Sequence, residues 1–227
     1  MVISSLNGDA ISRASLAESV YETLLEAMIH GRLAAGVELN EVALAKQLDV
    51  SRTPVHEALR RLVADGLIKA HGRRKLCVAA LSHEEVAEVY AMRRLLEGAA
   101  AERAATRMSD DALAELRRAV ESLAAGDGAV DWAAKALHYD IEFHDAIAGA
   151  CGNGRLRDDI SRYRLLVRGL CRMTGTLDNL RDALAEHVAI LKALEARNGR
   201  AARKAMAAHI DARLACVLDK HTSTAKS

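Results

Sequence analysis

The sequence predicts a mainly α-helical chain in two parts: a small N-terminal unit of short helices closed by a β-hairpin, and an antiparallel bundle of six longer helices. Three observations predict it. A single proline and 3% aromatic residues stand against 51% hydrophobic residues dominated by Ala, Leu and Val, a helix-favouring composition. Apolar residues recur at spacings of three and four in nearly every segment, the period of a helix that buries one face. Short apolar runs of strand type are confined to "LIKAHGRRKLCVAAL", residues 67–81. A chain of 227 residues is long enough for two separate cores, and the expected division is 1–81 and 82–227.

The first helix is expected in "SLAESVYETLLEAMIHGRL", where Val20, Leu24, Leu25, Met28 and Ile29 share a face and Gly31 supplies a stop. "AAGVEL" reads as a loop. Asn40 then caps a short helix, "NEVALAKQL", and "DVS" makes a tight turn. The next helix, "SRTPVHEALRRLVADG", can be capped by Ser51 or Thr53 and carries the only proline in its first turn, where its missing N–H costs nothing. Two short helices around a tight turn, followed by a hairpin, read as a winged helix-turn-helix.

Charge agrees with that reading. Between Glu18 and Asp49 six acidic residues face only Arg32 and Lys46, whereas between Arg52 and Lys75 seven basic residues face only Glu57 and Asp65. A local basic patch suits a polyanion. In this motif the second helix enters the major groove and presents its first residues to base edges, so Ser51, Arg52, Thr53 and His56 are the candidate DNA-binding residues, with Arg73 and Arg74 on the wing set against phosphate or the minor groove.

The stretch "GRLAAGVELNEVALAKQLDVSRTPVHEALRRLVADGLI" closely resembles the winged helix-turn-helix domain of GntR-family bacterial transcription regulators, above all in its "SRTPV.EALRRL...GL" signature. Three positions depart from the family pattern. His56 stands where the family usually has Arg, and Asp49 and Lys75 stand where it usually has Gly. Asp tolerates the left-handed backbone that favours Gly in the turn. The loss of Arg at 56 is more consequential, because Arg is the usual bidentate reader of guanine.

Ser82 followed by Glu85 is a capping-box signature, and it opens the second part. Helices are expected at about 83–107, 110–125, 130–149, 154–174, 178–197 and 200–220, separated by "MSD", "GDG", "GACGNG", "TGTLD" and "NG". No glycine-rich phosphate loop and no Ser/His/Asp nucleophile pattern occurs there. Instead, polar residues intrude on apolar faces. Asp140 and His144 share a face with Ala133, Leu137 and Ile147, His187 lies among Leu180, Leu184, Leu191 and Leu194, and His209 lies among Ala202, Met206, Arg213 and Val217. His187 and His209 each lie 11 residues from a turn at Asn198, which places them side by side at roughly 16 Å along their helices. One buried histidine is usually a hydrogen-bonded core residue, but four polar residues on core faces point to a metal. Asp140 and His144 form an i, i+4 clip, and with His187 and His209 they make a donor set suited to Zn²⁺, with Ni²⁺, Mn²⁺ or Fe²⁺ as alternatives. His71, His83 and His138 lie off these faces and read as ordinary polar residues.

"RRLLEGAAAERAA", "DIEFHDAIAGACGN" and "EHVAILKALEARNGRAARKAMAAHI" resemble the FCD ligand-binding domain found in the FadR branch of the same family. Many such domains hold a divalent metal through an Asp, a His four residues on and two later histidines, and Asp140, His144, His187 and His209 match those positions. The resemblance implies a small organic acid as effector at the metal, aided by an Arg early in the domain. Arg93 fits that role, and an ion pair with a nearby acid accounts for it equally well. Dimerisation follows from the resemblance and from the geometry of operators with paired half-sites.

The expectation is therefore a homodimeric, metal-containing, effector-responsive repressor of transcription that binds double-stranded DNA and is not an enzyme. Four cysteines without a Cys-x-x-Cys pair read as buried thiols in a reducing compartment. "MVISSLNGDAISRAS" lacks the apolar core of a signal peptide, and no run of about 20 apolar residues appears, so the location expected is the bacterial cytoplasm, away from membranes. Two rival readings remain open: a metallohydrolase with an accessory DNA-binding module, which lacks a dedicated general base because Glu142 and Asp145 point to other faces and only Glu186 is left as a candidate, and a regulator whose metal is purely structural.

Overall fold

The structure, a computed structural model, describes residues 8–71, 75–174 and 176–224. It divides into two compact units, Met1–Ala80 and Leu81–Ser227.

In the N-terminal unit, α1 (Gly8–Ile29) packs against α3 (Arg52–Ala64), with α2 (Glu41–Gln47) alongside α3. Helix α1 starts seven residues before the expected "SLAES" segment. The core is made by Val20, Tyr21, Leu24 and Leu25 of α1, Leu44 and Ala45 of α2, and Val55, Ala58, Leu59 and Leu62 of α3, closed by Ile68 and Val78 from the sheet. Tyr21 ties α1 to the end of α3, donating its hydroxyl to Asp65 at 2.8 Å while Arg61 lies over its ring. Asn40 caps α2 by accepting from the Ala43 amide. Ser51 occupies the N-cap of α3, but its side chain makes no cap bond.

The turn between α2 and α3 depends on Asp49, which adopts φ 53°, the left-handed conformation that a β-branched or apolar residue resists. The segment "AAGVEL" departs from the expectation of a loop. Its last two residues form β1 (Glu38–Leu39), which pairs antiparallel with β3 (Lys75–Val78), and β3 pairs in turn with β2 (Ile68–His71), giving the order β1-β3-β2. A two-residue strand is too short to show alternation in sequence; its pairing with β3 defines it. Lys75 sits in this ladder as an ordinary strand residue, bonded to Glu38 at 2.8 Å.

The described residues of the C-terminal unit form six helices: α4 (His83–Ala104), α5 (Asp110–Ala125), α6 (Trp132–Ala150), α7 (Gly154–Thr174), α8 (Leu177–Glu195) and α9 (Gly199–Thr224). Their starts are chemically marked. Ser82 and Glu85 make both bonds of a capping box, and Ser109, Asn153, Thr176 and Asn198 each accept from an amide three residues on. Helix α4 is the axis of the bundle, packing on α6, α7 and above all α9. Val86, Tyr90, Phe143, Ile147, Ile190, Leu191, Leu194, Met206 and Ile210 fill the space between them. Of the three cysteines whose side chains are described, Cys151 is buried, whereas Cys77 and Cys216 are only half-buried, against the expectation of buried thiols.

The approach of α9 to α4 requires glycine at its first residue. A Cβ on Gly199 would stand 2.7 Å from the carbonyl oxygen of Glu102, a backbone atom that cannot swing aside. Gly199→Ala is therefore expected to destabilise the C-terminal unit by about 1–3 kcal/mol, the usual cost of overpacking. A urea titration of the full chain measures it, and an unchanged midpoint would count against this close approach.

Candidate functional site

The four polar residues that sequence places on apolar faces meet inside the C-terminal unit. Asp140 and His144 come from α6, His187 from α8 and His209 from α9, and one ligand atom of each lies within 4.8 Å of all the others. The Nε2 atoms of His144 and His209 are 3.2 Å apart, and Asp140 Oδ1 lies 3.7 Å from His144 Nε2 and 3.5 Å from His187 Nε2. Donors that share a metal at bond lengths of about 2.0–2.2 Å stand roughly 2.8–3.6 Å apart; the 3.2 and 3.5 Å spacings fall in that range, and the wider ones, up to 4.8 Å, must contract to enclose an ion. The three histidines are at most 2% exposed. Asp140 is less enclosed than its place on the face suggests, with 33% of its side chain accessible, because it borders a cavity.

Each ring is held differently. His144 donates from Nδ1 to Glu97 of α4, and His209 donates from Nδ1 to Glu186 of α8 at 2.7 Å. In both, the carboxylate fixes the tautomer and leaves Nε2 as a lone-pair donor to a cation, the arrangement that supports imidazole ligands of metals. His187 has no such partner. Neither of its ring nitrogens makes a hydrogen bond although both are buried, and the ring is held by stacking on Phe143 at 4.3 Å. A buried imidazole left unsatisfied costs about 1–3 kcal/mol, and a cation at the convergence point would engage the Nε2 lone pair. The residues present therefore fit a divalent metal.

The surrounding charges are matched. Arg93 bonds Glu97 at 2.8 Å, Arg164 of α7 reaches Asp140 at 3.3 Å, and Arg213 of α9 bonds Glu186 at 2.9 Å. Burial raises the Glu97 carboxyl, but Arg93, His144 and Arg164 outweigh it and hold the group well below the usual carboxylate range. Asp140 is likewise penalised by burial and still held low, by His144 and Arg164 first. Sequence periodicity does not reveal Glu97 or Arg164. The available signal for Glu97 is its i, i+4 spacing from Arg93, an ion pair that accounts for that arginine. Glu186, considered as a general base, is occupied by His209 and Arg213.

A small cavity of about 60 Å³ adjoins the cluster. Asp140, His187 and His209 form one wall, and Arg93, Arg213 and Asn179 contribute its other polar groups among apolar residues that include Leu184 and Val217.

In the N-terminal unit, Ser51, Arg52, Thr53 and His56 lie exposed over the first turns of α3. Glu41, in the first turn of α2, bonds two of them: Arg52 donates Nε to Oε1 at 3.2 Å and His56 donates Nδ1 to Oε2 at 3.1 Å. The His56 bond first, opposed by burial and then aided by Arg52, holds the Glu41 carboxyl below its ordinary range. Charge patterning alone does not show this tether, because Glu41 lies 11 and 15 residues from its partners. Arg73 and Arg74 lie outside the described residues. Among the described residues no helix is long and apolar enough to cross a membrane.

Residues 88–212 match the FCD domain family, and residues 16–78 match the family described as bacterial regulatory proteins, gntR family. An uncharacterised HTH-type transcriptional regulator of Agrobacterium vitis is 34% identical over 155 residues, spanning 66% of this chain and 88% of the relative. The probable D-xylose utilization operon transcriptional repressor of Paenarthrobacter nicotinovorans is 30% identical, spanning 90% of this chain and 89% of the relative. Among solved structures, E. coli McbR/YncC superposes with a TM-score of 0.77 over 91% of this chain and 98% of its own, at 23% identity, which speaks to the fold.

The buried imidazoles make stability depend on pH in the metal-free protein. Burial, with Arg164 adding to it, pushes His144 down from 6.5 to about 4, and burial, then His209, drives His187 well below its ordinary value. Below pH 6.5 the unfolded chain takes up protons that the folded state refuses, so stability is full above 6.5 and is lost as pH falls toward 4. The low-lying carboxylates Glu97 and Asp140 act only below this window. Denaturant midpoints of chelator-treated protein should fall steadily from pH 6.5 to 4.5. His187→Leu, which removes an unsatisfied ring, should raise the midpoint of the metal-free protein and flatten that fall; a lowered midpoint would mean that His187 is satisfied within the bundle.

Proposed function

We propose that this chain, which belongs to the GntR family of bacterial regulatory proteins and carries an FCD domain, represses transcription as a cytoplasmic homodimer whose operator affinity is set by a small organic acid bound beside a metal. The chain is a transcriptional regulator and not an enzyme. The finer reading rests on one observation: three imidazole nitrogens and a carboxylate converge within 4.8 Å of one another beside a cavity that is also lined by two arginines.

Asp140, His144, His187 and His209 would hold the metal, and the donor set of three imidazoles and one carboxylate favours Zn²⁺, with Ni²⁺, Mn²⁺ or Fe²⁺ also compatible. A bound divalent metal supplies a Lewis acid to which a carboxylate oxygen can coordinate. The protein's own charges explain why an acid would follow. Glu97, Asp140 and Glu186 are each faced by a guanidinium, from Arg93, Arg164 and Arg213, so a divalent cation adds positive charge with nothing left to balance it. Arg93 and Arg213 line the cavity and favour an anion there. The accessible edge of Asp140 supports a regulatory metal over a purely structural one, because an incoming ligand can reach the cluster from the cavity.

Ser51, Arg52, Thr53 and His56 would meet the operator in the major groove, with Arg73 and Arg74 on phosphate or the minor groove. Two copies are required to read paired half-sites, and the acid would act by favouring one arrangement of the bundle over another, which is what alters operator affinity. Two of the relatives named repressors, those for D-xylose utilization and the gluconate operon of Bacillus licheniformis, support repression as the mode of action.

Metal content of the purified protein and mobility shifts on its own promoter region test the proposal together. Wild type should carry about one divalent metal per chain, and His187→Ala should lose it while retaining a folded N-terminal unit. Among small organic acids, at least one should change operator affinity by fivefold or more in the wild type, the lower end of ordinary allosteric coupling, and should have no effect on His187→Ala. Operator affinity that is identical in both proteins across the acid panel would defeat effector control at this site.

A further inference from the structure

Glu41 does more than shield the charges above it. Its two carboxylate oxygens hold two side chains of α3 that are four residues apart, Arg52 on Oε1 and His56 on Oε2, and both side chains remain largely accessible, at 69% and 59%. The carboxylate is a quarter exposed and its pKa is held low, so it is ionised and can only accept. A ring nitrogen facing it must therefore carry the proton. That assigns the Nδ1–H tautomer to neutral His56, and its Nε2, on the far side of the ring, is left with a lone pair and no proton.

An exposed Nε2 of this kind accepts hydrogen bonds and donates none. In the major groove, donors are found only on the amino groups of adenine N6 and cytosine N4, whereas guanine offers the acceptors O6 and N7. Arg52, held by the same carboxylate, is of the opposite polarity: its guanidinium can only donate. The geometry points to Glu41 as the residue that sets a mixed code on α3, with Arg52 reading acceptors and His56 reading an adenine or cytosine amino group where an arginine would read guanine. This assignment rests on the reading that α3 enters the major groove. It adds the base class at one operator position and names Glu41 as a specificity-determining residue that acts through its two partners.

Selection of bound sites from a randomised duplex library tests it, using full-length wild type, His56→Arg, His56→Ala and Glu41→Gln at pH 8. His56 is a surface residue, so its substitutions leave the fold intact. The operator position read by residue 56 identifies itself as the one at which wild type and His56→Arg differ. Wild type should favour adenine or cytosine there by roughly fivefold, the low end for a base contact, His56→Arg should switch to guanine, and His56→Ala should lose the preference while keeping the rest of the site. Glu41→Gln, which frees the tautomer, should reduce the preference at that position toward equality. A guanine preference in wild type, or no position that responds to His56→Arg while a common site is still selected, overturns the assignment and leaves DNA binding by α3 standing. Failure of every protein to select any site overturns both.

Discussion

The constraint on which the C-terminal unit depends is that ionisable groups lie inside a helical bundle, where an unmatched charge costs several kcal/mol. Five of its helices contribute to the solution. Glu97 and Arg93 on α4 pair with each other, Arg164 on α7 covers Asp140 on α6, and Arg213 on α9 covers Glu186 on α8. The carboxylates and guanidiniums cancel, and burial keeps His144 and His187 neutral. Single guanidinium nitrogens aside, what the matched set leaves over is His187, with two buried nitrogens and no hydrogen bond. An arrangement that balances every charge and strands one neutral base lacks only a cation, which is why the metal reading follows from packing as much as from the donor list.

The same bundle explains what could be read from sequence. Asp140, His144, His187 and His209 are legible because helical period places each on an otherwise apolar face, and a polar residue among leucines is conspicuous. The equal spacing of His187 and His209 from Asn198 works because a short αα-hairpin preserves height along both helices. Glu97 and Arg164 are illegible by that route. Helix α7 carries arginines around much of its circumference, so nothing marks Arg164 as inward, and Glu97 follows "RRLL" in a stretch rich in alanine, where no leucine stripe sets it off. Cooperation among residues on α4, α6 and α7 exists only after the helices pack. The winged unit shows a similar limit: its helices announce themselves by caps and period, but β1 is two residues long and is defined only by its partner strand.

Departures from the family pattern sort by how the backbone and neighbours absorb them. Asp49 takes the left-handed conformation of the tight turn at φ 53°, so the exchange of glycine for aspartate leaves the turn intact. Lys75 extends along β3 and pairs with Glu38 on the neighbouring strand, which gives the side chain a place in the sheet that glycine would leave empty. The backbone is unaltered by either change, although Lys75 adds an exposed charge to the wing. His56 differs, because its side chain is exposed at the beginning of α3 and its exchange for arginine reverses which hydrogen-bonding role the position can offer.

A single device recurs in both units. His56, His144 and His209 each turn Nδ1 toward a carboxylate, from Glu41, Glu97 and Glu186, and in each case the acid determines what Nε2 can do. On the surface this yields an acceptor facing solvent; in the bundle it yields two nitrogens aimed at one point. His187 lacks a carboxylate and relies on the Phe143 ring for its orientation. Stacking fixes the plane of an imidazole but not its tautomer, so no protein group selects which nitrogen of His187 carries the proton. Of the four groups at the convergence point it is also, with Asp140 and His209, on the wall of the cavity. A ring whose tautomer no protein group fixes thus lines the cavity, and a sensor tolerates such a place better than a catalyst does, since catalysis needs each group fixed before the reaction begins.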